Sequence, residues 1–593
     1  MTSDRPFLCR LDWVAALCLG LALPLSSGPG LAQDTDVTQT DVAQTDVAQT
    51  KGQPPVDNAG SYLAARQASV DRDFTAAAEW YAKALLSAPG DPKLLQGLLV
   101  AQMALGNFDG AALSARNFLT SGETNNSVAL ALITQHAGAQ DYAAILDEMT
   151  QGQSAGPALD ALIAGWAEQG QGRMTEALAR FDTVIATPGF EGLGLYQKAL
   201  ALAYAGDLEG ADALLSGPAA ASISGFRRGL LAHLQILSHL ERNADALALF
   251  DASFTAAMDS DLIDLRRRLA AGQPIAFDIV TSARDGIAEA LFTYALAIGD
   301  QADEDVTLAY ARAALYLRPD QTEVKLVVAE HLDGLGQYAL AAAAYALIPP
   351  QDAAFHAAEI GRAESLNAGG DRDAAIVVLQ ALAQTHGQMV QVQLALGDML
   401  RRAERYDQAL VAYDAGIALV EGAAPWAWPL YYNRGVCLER LDRFVEAIPS
   451  FRTALDLMPN QPQVLNYLGY TWIDRGENLD EAVQMIEAAV KAAPDQGYII
   501  DSLAWAYYRL GRFADALPPM ERASLLEPVD PVVTDHLGDI YWVNGRTLEA
   551  RFQWRRALSF EPAEADAVRI RLKLEKGLDA VLDQEKAGDG TSD

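Results

Sequence analysis

Residues 497–528 read GYIIDSLAWAYYRLGRFADALPPMERASLLEP. Leu503-Ala504 and Tyr507 share one face of a helix there, and Gly511 follows where the chain must turn. Phe513, Ala516 and Ala523 then mark a second helix, which Pro528 stops. The same marks recur on both sides. Ala447, Ala482, Ala516 and Ala550 are 35, 34 and 34 residues apart. Ala454, Ala489, Ala523 and Ala557 keep step with them, as do Pro459, Pro494, Pro528 and Pro562. A repeat of about 34 residues that joins two helices by a turn predicts a stack of helix pairs, each packed on its neighbours.

The neighbouring units carry the pattern in full. Gly435, Phe444, Phe451 and Pro459 set out the unit 428–461. Leu468-Gly469, Trp472 and Gly476 precede Ala482, and Leu537-Gly538, Tyr541 and Gly545 precede Ala550 and Trp554. Pro449 and Pro518-Pro519 are expected just inside second helices, where a backbone N–H has little intrahelical use. Upstream, Ala409, Ala375, Ala341 and Thr307 hold the same slot at steps of 34, after a step of 38 between Ala409 and Ala447. In the first half the slot is held by Ala77, Ala111, Ile145, Ala177, Ala211 and Ala246. From Ala246 to Thr307 is 61 residues, a break in phase that includes the extended-looking Ala271–Phe277.

The predicted organisation follows from these steps. It is an all-α solenoid of about 14 helix pairs in two arrays, 58–255 and 287–562, with a joint at 256–286. A capping helix is expected at 563–585 and a disordered tail at 586–593. Residues 1–32 read as a secretory signal peptide: basic Arg5 to Arg10, an apolar run from Trp13 to Leu25, and Gly30-Leu31-Ala32 before Gln33. That run is shorter than the roughly 20 residues that span a bilayer. Leu8 and Leu17 precede Cys9 and Cys18, where a lipid-bearing cysteine would need a small residue. The expected product is therefore soluble, exported and periplasmic. Residues 33–57 repeat Asp-Val-Ala/Thr-Gln-Thr and cannot bury a core, so they read as a disordered linker.

The net charge of -34 disfavours a phosphate backbone or an anionic lipid surface as partner. Cys437 is the one cysteine outside the leader, so no internal disulfide is expected. The seven histidines form no ligand pair; His233 and His239, six residues apart, point to different sides of a helix. Gly170-Gln-Gly172 lacks the third glycine and the preceding strand of a dinucleotide fingerprint. No nucleophile motif, phosphate loop, metal motif or cofactor site is read, and the expectation is a protein that is not an enzyme. A catalytic domain would need about 100 non-repeat residues, more than any break in phase offers.

These residues resemble tetratricopeptide (TPR) repeats. That family places an aromatic at position 4, Leu-Gly at 7–8, Tyr at 11, Ala at 20 and 27, an aromatic at 24 and Pro at 32. Position 4 departs from it, with Tyr431, Leu465, Ile500 and Thr534. The resemblance implies a concave groove lined by positions 2, 5, 9, 12 and 13 of each repeat. Carried onto this chain, the partner-binding candidates are Asn466, Tyr470 and Ile473, then Tyr498, Asp501, Trp505, Tyr508 and Arg509, then Asp535, Asp539 and Trp542. Packing against the next repeat is the other reading of Trp505, Tyr508 and Trp542. The set lacks the lysines that grip a carboxyl-terminal acid, so a basic or neutral peptide or protein partner is expected. The segments 466–475 and 501–507 are also similar to periplasmic TPR adaptors of Gram-negative bacteria. That likeness implies docking of a carboxyl-terminal processing protease and cell-wall hydrolases. A scaffold for outer-membrane or exopolysaccharide assembly and a regulatory subunit of an enzyme complex are the alternatives.

Overall fold

The computed structural model describes residues 58–217, 227–254, 260–299 and 302–589. The leader, the 33–57 linker and residues 590–593 lie outside them. Among the described residues the chain forms 31 α-helices and no strand. Six helix pairs run from Asn58–Val70 with Phe74–Leu85 to Arg227–His239 with Asn243–Ser253. One helix, Ser260–Ala270, stands between them and eight further pairs, the last being Pro531–Val543 with Thr547–Leu558. The architecture is the all-α helix–turn–helix solenoid that the period predicts.

The periodic slots are the core. Ala447, Ala482, Ala516 and Ala550 are fully buried, as are Ala454, Ala489, Ala523 and Ala557. A small residue there lets the paired helices close, and the aromatic at position 24 fills the space beside it. A Cβ added to Gly435 would lie 2.6 Å from the ring of Phe451, and one on Gly538 would lie 2.4 Å from that of Trp554. These positions are glycine because a ring occupies the place of the side chain.

Most of the described turns within a pair use a left-handed residue. Gly511 (φ 72°) and Gly545 (φ 81°) supply it without strain, whereas Glu404 and Asp442 adopt it at φ 58°. The prolines correct an expectation. Pro449 is the sixth residue of Phe444–Leu457, and Pro518-Pro519 are sixth and seventh in Phe513–Leu526. They lie in the helix interior, where each removes a backbone hydrogen bond, and the helices run on because their inner faces are buried.

The chain divides into two compact units, one ending at Asp371 and the other beginning at Arg372. The division separates helices Phe355–Ala368 and Arg372–His386, which the period assigns to one repeat. The 256–286 stretch lies within the first unit. There the chain turns back on itself. Helix Ala283–Ile298 packs on Pro157–Gly170 and Glu191–Tyr204, and Glu304–Leu317 packs on Pro92–Ala104 and Asn126–Gly138. In the second unit the cap is two helices, not one over 563–585. Gly577 at φ 84° ends Glu564–Lys576, and Leu578–Asp589 follows, extending into the residues read as a tail.

Candidate partner-binding site

In the register of the repeat the first helix of each pair is the inner one, and the two units treat these helices differently. In the first unit they are covered by the chain itself. Trp166 Nε1 donates to Gln197 Oε1 (2.8 Å), and Gln197 Nε2 donates to Thr293 Oγ1 (3.0 Å). The Tyr196 hydroxyl donates to Glu289 Oε1 (2.9 Å), whose carboxylate has no exposed surface. Arg228 meets that carboxylate through Nε at 2.7 Å and Nη2 at 2.5 Å, and also binds Glu323. Burial would pull the Arg228 guanidinium down, but Glu289 and Glu323 hold it well above its ordinary range. Farther along, Arg312 Nε donates to the Ala104 carbonyl (2.9 Å), and burial pushes this guanidinium down to about 10. The Tyr310 hydroxyl donates to the Ala155 carbonyl and that of Tyr316 to Asp109. A Cβ on Gly286 would fall 2.1 Å from the Trp166 ring, so the helices leave no gap.

The second unit carries the sequence-predicted residues on three neighbouring inner helices, Pro462–Arg475, Gly497–Arg509 and Pro531–Val543. The outer two each pack against the middle one. On the first, Asn466 is 8% exposed and its Oδ1 has no hydrogen-bond partner. Tyr470 is half-buried; burial, with Asp501 and Asp474, pushes its hydroxyl up to about 12. Ile473 is buried in the core.

On the second helix Tyr498 is 43% exposed. Asp501 is buried and bonded to His536 Nδ1 at 2.9 Å. Trp505 stacks on Tyr508 (4.7 Å between centroids) and on His536 (3.9 Å). Both rings therefore contact the array and still keep partial exposure. Burial alone would lower the His536 pKa, but the charge and hydrogen bond of Asp501 raise it above the ordinary imidazole value. Arg509 is exposed and donates to Asp474 Oδ1 (3.0 Å) and its carbonyl (3.1 Å).

On the third helix the cap intervenes. Lys573, with no exposed surface, donates to Asp535 Oδ2 (2.7 Å) and Asp539 Oδ2 (2.8 Å). Asp539 is fully buried and also accepts from Trp554 Nε1 (2.9 Å). Trp542 Nε1 donates to Asp579 (3.1 Å), and its ring lies where a Cβ on Gly577 would go. The structure thus brings Asn466, Tyr470, Tyr498, Asp501, Trp505 and Tyr508 onto adjacent inner helices. It places Asp535, Asp539 and Trp542 under the cap. Sequence reasoning passed over Gln463, whose Oε1 is buried without a partner, and His536 and Lys573. Gln463 sits at a groove-facing position and was legible in principle. Lys573 was not, since its role depends on two carboxylates 34 and 38 residues away.

Among the described residues no group of His, Cys, Asp and Glu could hold a metal ion. Cys437 is buried, and burial pushes its thiol up to about 12. No described helix is long and apolar enough to cross a membrane.

Stacked helix pairs with an inner helix row define an α-solenoid. The tetratricopeptide repeat family matches it at residues 394–462, 440–497, 473–523 and 502–567. Those four matches lie in the second unit, which carries tetratricopeptide repeats. The chain is 29% identical over 174 residues to the TPR repeat-containing protein PA4667 of Pseudomonas aeruginosa. That match spans 29% of this chain and 29% of the relative. Among solved structures it is similar to the Cut9–Hcn1 hetero-tetramer of the APC/C, at 14% identity and a TM-score of 0.38 over 88% of this chain and 97% of that one. It is also similar to yeast Tom70, at 14% identity and a TM-score of 0.35 over 89% and 96%.

Proposed function

We propose that this protein is a non-catalytic scaffold whose second unit holds a segment of a partner protein on the inner helices 462–475 and 497–509. One observation carries the reading: this face keeps exposed and half-exposed aromatic rings beside a buried amide oxygen with no bond. Tyr and Trp bury much area at small entropic cost, which suits an interface. On the corresponding helices of the first unit, Trp166, Tyr196 and Gln197 are bonded from within the chain. The leader read at 1–32 supports export to the periplasm. The similarity of 466–475 and 501–507 to periplasmic adaptors supports a carboxyl-terminal processing protease and cell-wall hydrolases as partners. A photo-crosslinking amino acid at Tyr498, installed in the producing cell and followed by mass spectrometry, tests the scaffold. Crosslinks to another protein are expected; crosslinks found only within the chain would remove the proposal. Recovery of neither a protease nor a hydrolase would remove that choice of partner alone.

A further inference from the structure

The last helix departs from the repeat. In the second unit the eighth residue of each inner helix is small: Gly397, Gly435, Gly469, Ala504 and Gly538. A Cβ on any of the four glycines would lie 2.4–2.8 Å from the paired second helix. In helix Glu564–Lys576 the eighth residue is Arg571, which is exposed and donates to Glu564 (3.3 Å). A second helix cannot close on that side. Helix Leu578–Asp589 is held instead by Arg569, whose Nε donates to Glu585 Oε1 (2.8 Å). Two residues separate the arginines by about 160° around the helix. Arg569 also lies 3.6 Å from Asp539, on the inner helix before it. Gly577 makes the redirection possible. Its φ of 84° and ψ of 160° are open to glycine alone, whereas Gly476 turns an ordinary pair at φ 69° and ψ 23°.

The last helix is thereby brought onto inner-face residues. Trp542 Nε1 donates to Asp579 (3.1 Å). Burial, Asp539 and Glu585 push the Tyr508 hydroxyl up while Arg569 and Arg509 pull it down, so Arg569 and Glu585 meet near Tyr508. Leu578 and Val581 are buried, and Leu582 packs on the same cluster as Tyr508 and Trp542. Asp579, Asp583 and Glu585 are exposed. One end of the inner face therefore already holds an amphipathic helix, supplied by the chain itself. That helix is lightly held, because its polar anchors at Asp579 and Glu585 are exposed and such pairs add little. Helix Glu564–Lys576 is fixed by the fully buried Lys573, so parting at Gly577 leaves the array intact.

Resting on the scaffold reading above, we infer that helix Leu578–Asp589 is a displaceable occupant of the inner face, and that the partner segment replacing it is a short amphipathic helix with an acid placed against Arg569. A cover closed about nine-tenths of the time lowers the apparent affinity about tenfold, since only the open fraction binds.

A fluorescein-labelled copy of residues 577–589, titrated onto the full chain and onto its Val581→Asp variant, tests this. The substitution puts a charge on the buried side of the last helix and releases it without shortening the chain. The variant is expected to bind the peptide about tenfold more tightly than the parent chain does. A peptide that itself carries Val581→Asp is expected not to bind. Equal binding to the two chains, or binding to neither, would overturn the inference. Hydrogen exchange on the parent chain needs no variant: 578–589 is expected to exchange much faster than 564–576, and equal protection of the two helices would also overturn it. In the producing cell, Val581→Asp is expected to raise the yield of crosslinks from Tyr498 to another protein. Such crosslinks at an unchanged yield would overturn the inference and leave the scaffold reading in place. Crosslinks found only within the chain, for parent and variant alike, would remove the scaffold reading and this inference with it.

Discussion

In the first unit, Trp166, Tyr196 and Gln197 on inner helices meet Thr293 and Glu289 of the chain's own helix Ala283–Ile298. In the second unit, inner helices 462–475 and 497–509 leave Tyr498 exposed and Asn466 Oδ1 without a bond. Both sets of helices come from one repeat design and differ in what covers them. Where the chain covers itself, Tyr196 and Gln197 answer to partners far away in sequence, and the repeat pattern fades. Where it does not, the pattern stays regular and aromatic rings such as Tyr498 stay exposed. The loss of regularity in the first half accompanies self-packing, and the regular repeats carry the face proposed above to receive a partner.

The comparison breaks most readily at Glu289. Glu289→Ala leaves Arg228 buried with only Glu323 for a partner, and is expected to cost the first unit about 3–5 kcal/mol. Hydrogen exchange resolves each unit by its own peptides; an equal loss of protection across 390–558 would show that the units do not stand apart in stability. Gly538→Ala is the counterpart in the second unit. Its Cβ would press on Trp554, and a loss of about 1–3 kcal/mol confined to that unit is expected from denaturant titration.

His536 adds a pH dependence opposite in sign to that of His331 in the first unit, whose imidazole pKa burial lowers. The folded pKa of His536 lies above the ordinary value of 6.5, because Asp501 outweighs burial. The resulting stabilisation is complete below the unfolded pKa and is lost as pH rises through the folded one. Thermal unfolding of the second unit is expected to weaken over that interval, and His536→Gln to flatten the dependence. A slope unchanged by that substitution would place the titration elsewhere. The smallest effect is at a turn. Glu404→Gly relieves a left-handed residue worth about 1–2 kcal/mol but adds chain entropy, for a net gain below about 1 kcal/mol in denaturant titration.

The helix pairs were legible because Ala, Gly, aromatic and Pro residues at fixed offsets report local packing, and Ala447, Ala482, Ala516 and Ala550 are all buried where the period puts them. The return of Ala283–Ile298 onto Pro157–Gly170 was not, since nothing local in Gly286 announces that Trp166 will sit against it. The break at Gly577 went unread because the apolar stripe continues across it. For the site, register alone reached Asn466, Tyr498 and Trp505. It could not show that Lys573 claims Asp535 and Asp539, because that contact forms only when the cap folds back.

Hydrogen exchange on the full chain, with and without the partner recovered by crosslinking at Tyr498, bears most directly on the claim that the second unit alone offers its inner face. Added protection is predicted on 462–475 and 497–509, with 157–170 and 191–204 unchanged. Protection appearing on the inner helices of the first unit, with none on the second, would contradict it.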